Sequence, residues 1–461
     1  MSMIFDPRGP RSLFAEDTVI SRVDAQRVIE SVIKLSKADA VQVVVRSSRT
    51  RNVRFAANQL STAGVVEDTT LVVMSYIGKK HSAVTTNDLS PESLERTVRK
   101  AESIAKLAPD DIDMLPVLGP QNLRDLSAAW DEATANLAAG EVTAAANTAL
   151  APARKGTTLN VAGFLVTGAD AIAIGTSAGL FAYHRGTNAN YTLTVRTSDG
   201  TGSGWAGEDA VAWSQLDFAR VSAQAIEKAQ SSQNPVAIEP GRYTVILEPQ
   251  AVGDLIGLIP RYFNARSADE GRSPFAKQGG GNKLGEMIVN AMVNLSSDPS
   301  DPLVLAQPFD SDGLPLTKQS WITNGTLSTM LVPRSWAARK NLVATGNPNN
   351  VILAGGTTTR DQMIASTQRG VLVTRLWYLR ETDPRTMSYT GLTRDGTYLI
   401  ENGKISKSIK NMRFNESPLF LLNNVEALGP VHRTASEGPG TQIMPILKAH
   451  DFNFTSLSDA V

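Results

Sequence analysis

Residues 244–260 read "TVILEPQAVGDLIGLIP". The first four residues, 244–247, form a short β-like run, and Glu248-Pro249 turns it into a predicted helix. Val252, Leu255, Ile256 and Ile259 fall at i, i+3, i+4 and i+7, the spacing of one buried helical face. Pro249 suits the first helical turn, where a missing N–H costs nothing. Many enzymes keep their chemistry where a strand runs into a helix with polar groups in its first turn. "PQAVGD" therefore holds either a site or the outline of one.

The surrounding chain has ordinary globular composition. It has 461 residues, 42% hydrophobic and 20% charged, with room for two or three domains. Its 45 basic and 45 acidic side chains give a formal net charge of zero. Long-range attraction to nucleic acid or anionic membrane needs an excess of positive charge, so any such binding has to be local. The sequence contains no cysteine, which excludes disulfides, thiolate nucleophiles and sulfur-ligated metals in this chain. "MSMIFDPRGPRSLF" lacks the apolar region of a secretory signal. No apolar run approaches the ~18–20 residues of a membrane span. A cytoplasmic location is expected.

Upstream, residues 22–36 predict an amphipathic helix, and "AVQVVVRSS" and "TTLVVMSYIG" predict strands rich in residues favoured on a pleated surface. Ser90-Pro91 opens a second helix with Leu94, Val98, Ala101, Ile104 and Ala105 on one side. "LAPDDIDMLPVLGPQNL" (107–123), with its prolines and acids, marks a linker. Residues 125–152 are Ala-rich and predict a helix, three strand-like runs follow, and 215–231 predict another helix. Beyond "SSQNPVAIEPGRY" short apolar runs alternate with Gly, Asn, Asp and Pro turns. That part predicts mostly β structure, apart from the helix after Pro249 and one near 335–342. The expected fold class is α+β. An N-terminal α/β-sandwich-like region, with helices on a β-sheet, precedes a mostly antiparallel β domain of barrel- or sandwich-like form. The expected domains are 1–112, 113–234 and 235–461.

Chemistry is sparse in this pattern. The four histidines, His81, His184, His432 and His450, are far apart, and no two have metal-ligand spacing. "GTSAG" (175–179) spells Gly-x-Ser-x-Gly but lies between two strand-like runs rather than at the strand-to-helix turn of a nucleophile elbow, and "SKSIK" (406–410) sits in a polar stretch after a strand-like run. The Gly-rich run "KQGGGNKLG" (277–285) does not fit a Walker loop, because Lys283 is followed by Leu284, and is expected to be a flexible loop over a cleft. Arg46, Arg49, Arg51 and Arg54 in "RSSRTRNVRF" read as the solvated rim of a hairpin or as a local anion patch. Asp310 and Asp312 in "FDSDG" lack the other ligands of a calcium loop and are expected to cap a turn.

Five stretches of the C-terminal half carry a resemblance: "FDSDGLP" (309–315), "NGTL" (324–327), "GVLVTRLWYLRETDPRT" (370–386), "YLIENGKI" (398–405) and "RFNES" (413–417). In that order they resemble the TldD/TldE family, also called PmbA or modulator of DNA gyrase. "VVVRSSRTRNVRFAANQ" before the Ser-Pro-opened helix is similar to the same family, so the resemblance spans nearly the whole chain.

The resemblance implies a cytoplasmic zinc metalloprotease built as a TldD–TldE heterodimer, which degrades small or unfolded peptides and trims peptide precursors. Only the TldD-type subunit carries the metal, through a His-Glu-x-x-x-His motif and a distal cysteine. Aligned with that motif, Pro249 stands for the first His, Gln250 for the Glu and Asp254 for the second His. Proline has no ligand atom, and Gln250 cannot take a proton at neutral pH. One carboxylate does not hold catalytic zinc by itself. Residues five apart sit about 140° round a regular helix, so a metal-sharing pair bends or overwinds it. Without metal this helix is expected to be regular through Ile259.

The chain therefore reads as a TldE/PmbA-like, catalytically silent subunit, with no catalytic residue, metal or cofactor of its own. Zinc is expected in a TldD-like partner, and peptides are the expected ligand. The alternative is a non-enzymatic peptide-binding or regulatory homodimer. A DNA- or gyrase-binding role ranks below both because the net charge is zero. Arg375, Trp377, Arg380, Gly279 and Gly280 are the candidates for chamber or partner surface. Arg375 and Arg380 either bind a peptide carboxylate or pair with Glu381 and Asp383 in their own segment.

Overall fold

A computed structural model describes residues 18–154, 158–435 and 441–458. In chain order its strands are β1 (Ala40–Ala56), β2 (Gln59–Ile77), β3 (Lys80–Thr86), β4 (Leu159–Thr176), β5 (Phe181–Thr197) and β6 (Ser203–Ala210). There follow β7 (Gly241–Leu247), β8 (Leu295–Ser297), β9 (Gln319–Thr323), β10 (Thr326–Leu327), β11 (Asn350–Leu353), β12 (Arg369–Val373) and β13 (Leu376–Asp383). The last are β14 (Ser388–Thr393), β15 (Thr397–Glu401), β16 (Lys404–Ser408), β17 (Met412–Glu416), β18 (Val425–Arg433) and β19 (Thr441–Leu457). The helices are α1 (Arg22–Leu35), α2 (Pro91–Leu107), α3 (Glu132–Ala135), α4 (Ala139–Arg154) and α5 (Phe218–Ser231). Shorter ones follow: α6 (Pro249–Ile256), α7 (Ala265–Asp269), α8 (Arg334–Lys340), α9 (Arg360–Ala365) and α10 (Pro418–Asn423).

The expected α+β class holds. Six strands form one sheet in the order β3-β2-β1-β4-β5-β6. Thirteen form a second, whose main path runs β10-β9-β8-β11-β19-β7-β12-β15-β16. This second sheet is open rather than a closed barrel. Among the described residues its strands pair antiparallel, and β7–β12 and β11–β19 pair parallel. The chain divides into two compact units. One comprises Met1–Thr50, Val66–Gln121 and Ala169–Arg185; the other comprises Arg51–Val65, Asn122–Gly168 and Gly186–Val461.

In the first unit, Ser21 and Ser90 cap α1 and α2 by accepting from the N–H groups of Asp24 and Ser93. Glu102, buried on α2, accepts from Lys37 N at 2.5 Å and from Arg99 at 2.7 Å. Arg99 in turn donates to Leu35 O at 2.7 Å, which ties the end of α1 to α2. Of the predicted α2 stripe, Leu94, Val98, Ala101 and Ala105 are buried, while Ile104 is 42% exposed.

The hairpin-rim reading fits Arg46 and Arg54, which are exposed, but not Arg51 of "RTRNVRF". That stretch continues β1, and the hairpin turns at Ala57 and Asn58, both at positive φ. Asn58 holds the turn by donating to Leu159 O and accepting from Val161 N, each at 2.8 Å. Arg51 is buried and donates to Ala135 O at 3.1 Å, so it is neither rim nor anion patch. The Ala-rich stretch 125–152 is divided rather than one helix, with a 3-10 turn at Ser127–Ala129 before α3 and α4. Helix α5 lies directly on β6. A Cβ added at Gly204 would sit 2.2 Å from Ala225 O, so only glycine permits that approach.

The opening segment folds as strand, turn and helix. β7 lies between β12, parallel, and β19, antiparallel. Glu248 N donates to Val373 O at 3.0 Å, and Pro249 begins α6. Val252, Leu255, Ile256 and Ile259 are all fully buried. The helix does not run regularly to Ile259, however. It ends at Ile256, and Ile259 sits in a separate 3-10 turn, Ile259–Tyr262. Gly257 at its end is pressed against Gln442, whose Nε2 lies 2.4 Å from where a Cβ would be.

Candidate functional site

The three motif positions are brought together at the start of α6, and their polar atoms are committed to the protein. Gln250 Nε2 donates to Asp254 Oδ1 at 2.9 Å, one helical turn away. Gln250 Oε1 accepts from Ala435 N at 3.1 Å. Asp254 Oδ2 accepts from Leu376 N at 2.9 Å, where β13 begins. Side chains at these positions thus fasten α6 to two distant segments. Zinc needs convergent lone pairs from at least three donors. Pro249 offers none, so the motif supplies at most one amide oxygen and one carboxylate, and each of those oxygens already accepts a hydrogen bond. Among the described residues no cluster of three His, Cys, Asp or Glu side chains could hold a metal. The donor set does not fit zinc.

Pro249 and Gln250 open onto a cleft of about 810 Å³ whose walls come from β6, α5, β16 and β18. Its charges are largely neutralised in pairs. Glu248 receives Lys228 Nζ at 2.7 Å and Arg360 Nε at 3.6 Å. Asp209 receives Arg433 at 2.8 Å, and Glu208 pairs with Arg220. Ser406 and Ser408 also line this cleft, but their hydroxyls donate to Leu399 O and Gln233 O, so neither is poised as a nucleophile.

Burial raises the Asp209 carboxyl above its ordinary value, against the opposing pull of Arg433. A carboxyl raised on folding costs stability when ionised, and that cost disappears as pH falls through its folded value. Arg433→Ala removes the opposing charge from a pair whose side chains are only 10% and 15% exposed. It is expected to cost about 3 kcal/mol at pH 7 and clearly less near pH 5. Urea unfolding at the two pH values checks this; an equal loss at both would refute it.

Arg375 occupies a stack rather than a surface. Its guanidinium lies 4.3 Å from the Trp205 ring centre and 4.8 Å from that of Trp377. Arg394 lies over the same Trp377 side chain, 5.3 Å from its ring centre. Both arginines approach buried Asp395 Oδ2 at 3.7 Å, and Ser203 Oγ donates to its Oδ1 at 2.6 Å. The expected pairing within the segment is absent from these contacts. Glu381 accepts from Tyr262 OH at 2.6 Å, while Asp383 accepts from Arg385 N and Thr386 Oγ1. Burial, then the bonds to Glu381 and Tyr389, push the Tyr262 hydroxyl far above its usual range.

Arg380 is exposed and lies 4.3 Å from the Tyr378 ring centre. Gly279 and Gly280, at φ +93° and +111°, are exposed with open space around them. Neither glycine lines the motif cleft. Asp310 caps its turn as expected, accepting from Asp312 N and Leu314 N. Sequence alone missed Trp205, Asp395 and Ala435. Trp205 and Ala435 lie on segments remote from the motif, and only the fold juxtaposes them.

Three family descriptions match the chain in succession: PmbA/TldA metallopeptidase domain 1 over residues 41–105, the central domain over 124–233 and the C-terminal domain over 240–456. The chain belongs to the PmbA/TldD metallopeptidase family. Among solved structures it is similar to TldE from Thermococcus kodakarensis, at 20% identity and TM-score 0.83, covering 94% of this chain and 100% of that one. It is similar too to a proposed DNA gyrase modulator from Thermotoga maritima, at 20% identity and TM-score 0.82, covering 93% and 100%. At such identity these likenesses show the fold. A Methanothermobacter thermautotrophicus metalloprotease is 23% identical over 211 residues, 41% of this chain and 43% of that protein. The match thus spans less than half of that relative.

Proposed function

We propose that this chain is a non-catalytic subunit of a PmbA/TldD-type peptidase. It pairs with a related chain that carries the zinc, stabilises it, and lines part of the space where peptides are held. The observation that carries this reading is the internal bonding of the Gln250–Asp254 pair beside Pro249, which leaves fewer than the three donor groups a zinc site needs. The cleft beside the pair supports the peptide role. β16 ends its sheet, and Ile405–Ser408 line the cleft along that edge. An extended peptide pairs with such an edge through its backbone and without sequence preference. Arg380 is the better placed of the two predicted carboxylate binders, because Arg375 is spent in its stack.

The purified chain, supplied with Zn²⁺, is expected to leave casein and short peptides uncut, and to support cleavage when a zinc-bearing relative is added. Strong zinc-dependent cleavage by this chain alone would sink the proposal. Peptide binding without any effect on a zinc-bearing relative would favour the peptide-binding homodimer instead.

A further inference from the structure

β15 and β16 form a hairpin whose turn, Asn402-Gly403, stands at φ +52° and +75°, as a two-residue hairpin turn requires. A Cβ at Gly403 would meet Ala365 O at 2.7 Å, so the hairpin tip packs directly on α9. β16 is the last strand on its sheet path. Its outer edge is covered at the far end, where Val236 N donates to Ser408 O at 3.1 Å and Lys410 N donates to Val236 O at 2.9 Å. Among the described residues the edge stays open over 404–407, and all four side chains are exposed. Ile405, Ser406 and Lys407 line the cleft.

Two of those four residues are lysines, and the register sets them together. Lys404 stands opposite Glu401 and Lys407 opposite Leu399, two residues apart on β15, so both lysines fall on one face of the strand. The residue taken up by the bulge is Ser406, whose hydroxyl donates to Leu399 O at 3.2 Å. The other cations of the cleft are engaged, Lys228 and Arg360 with Glu248, Arg433 with Asp209 and Arg220 with Glu208. Among the described residues neither Lys404 nor Lys407 takes part in an ion pair. The remaining acid of the cleft, Glu227, belongs to α5 and not to the edge. Lysine on an open edge keeps other strands away. It does so least for a strand that carries acids, because opposite charges directly across a strand pair stabilise it and like charges oppose it. Backbone hydrogen bonds are indifferent to sequence, and the side chains beside them supply the choice.

We propose that residues 404–407 of β16 form an edge selective for acidic peptide segments, whose carboxylates face Lys404 and Lys407. The proposal rests on the reading of this cleft as a place where peptides are held, and it names the class of peptide. A strand added along 404–407 sets its side chains about 5 Å from those of the two lysines, close enough for each charge to be felt.

The test uses labelled peptides about ten residues long that differ only in carrying Glu, Gln or Lys at alternate positions. Each is titrated with the full chain at low salt, and fluorescence anisotropy is read. The Glu peptide is expected to bind about fivefold more tightly than the Gln peptide, and the Lys peptide most weakly. In Lys404→Gln/Lys407→Gln the Glu and Gln peptides are expected to bind alike. In Lys404→Glu/Lys407→Glu the Lys peptide is expected to bind best. Both variants change exposed side chains and are expected to unfold at the wild-type temperature. Equal wild-type affinity for the Glu and Gln peptides, or a Glu preference that survives in the Gln variant, overturns the proposal. Failure of all three peptides to bind also overturns it, and shows that the lysines only blunt the edge. No zinc-bearing relative is present in this assay. A chain that binds peptides without preference, yet supports cleavage by such a relative, would overturn the acidic selectivity and leave the subunit reading intact.

Discussion

Arg375→Ala is expected to destabilise the second unit by about 3 kcal/mol, the scale for breaking a buried ion pair. The Arg375 side chain is 8% exposed and that of Asp395 is 2% exposed. Removal leaves the Asp395 carboxylate with Arg394 and Ser203 only, and it opens a gap between the Trp205 and Trp377 rings. A desolvated cation over an indole contributes up to about 2 kcal/mol, and here two indoles are involved. Arg375→Lys keeps the charge but not the flat, weakly hydrated surface that stacks between rings. It is expected to recover about half of the loss. Urea unfolding followed by tryptophan fluorescence checks both, with a red-shifted native emission expected in the alanine variant. Wild-type stability in Arg375→Ala would show that the stack is incidental. If Arg375 instead gripped peptides, the alanine variant would keep its stability and lose peptide affinity.

The same residue shows what a sequence conceals. "GVLVTRLWYLRETDP" displays Arg375 beside Glu381 and Asp383, so local pairing is the natural expectation. The partners are Trp205, on β6, and Asp395, past the β13–β14 hairpin. Those neighbours arise from sheet topology, which a linear pattern does not record. Elements specified locally were readable: Ser90-Pro91 starts α2, Glu248-Pro249 starts α6, and the four apolar positions after Pro249 are all buried. Where a local rule met a tertiary demand, the local rule lost. β1 carries its arginines through to Ala56 because Val53 and Phe55 join a core and Arg51 finds Ala135 O. A local rule ends α6 instead: it stops at Ile256, where Pro260 has no N–H to donate to the Ile256 carbonyl. The motif substitutions were legible one by one. That Gln250 and Asp254 bond to each other and to two remote backbones was not.

That bonding sets the outcome of restoring the motif. Pro249→His/Gln250→Glu/Asp254→His writes back the two imidazoles and the carboxylate, yet is expected to bind no stoichiometric zinc. Two imidazoles without a third protein ligand leave the metal short of a catalytic donor set. The variant also gives up the native fastening. Leu376 N, on a residue only 2% exposed, loses its acceptor, which costs about 1–3 kcal/mol. The total loss is expected near 3 kcal/mol once the Gln250–Asp254 bond is included. Ala435 is the residue that the fold sets against Gln250, and it lines the same cleft. Adding Ala435→Cys to the triple variant supplies a thiolate there. Zinc retained after dialysis is expected in the quadruple variant and not in the triple. Metal content and urea midpoints, read on the same samples, separate a missing ligand from a site that has simply unfolded. Tight stoichiometric zinc in the triple variant, with turnover, would show that two imidazoles suffice on this frame and that the third position was never decisive.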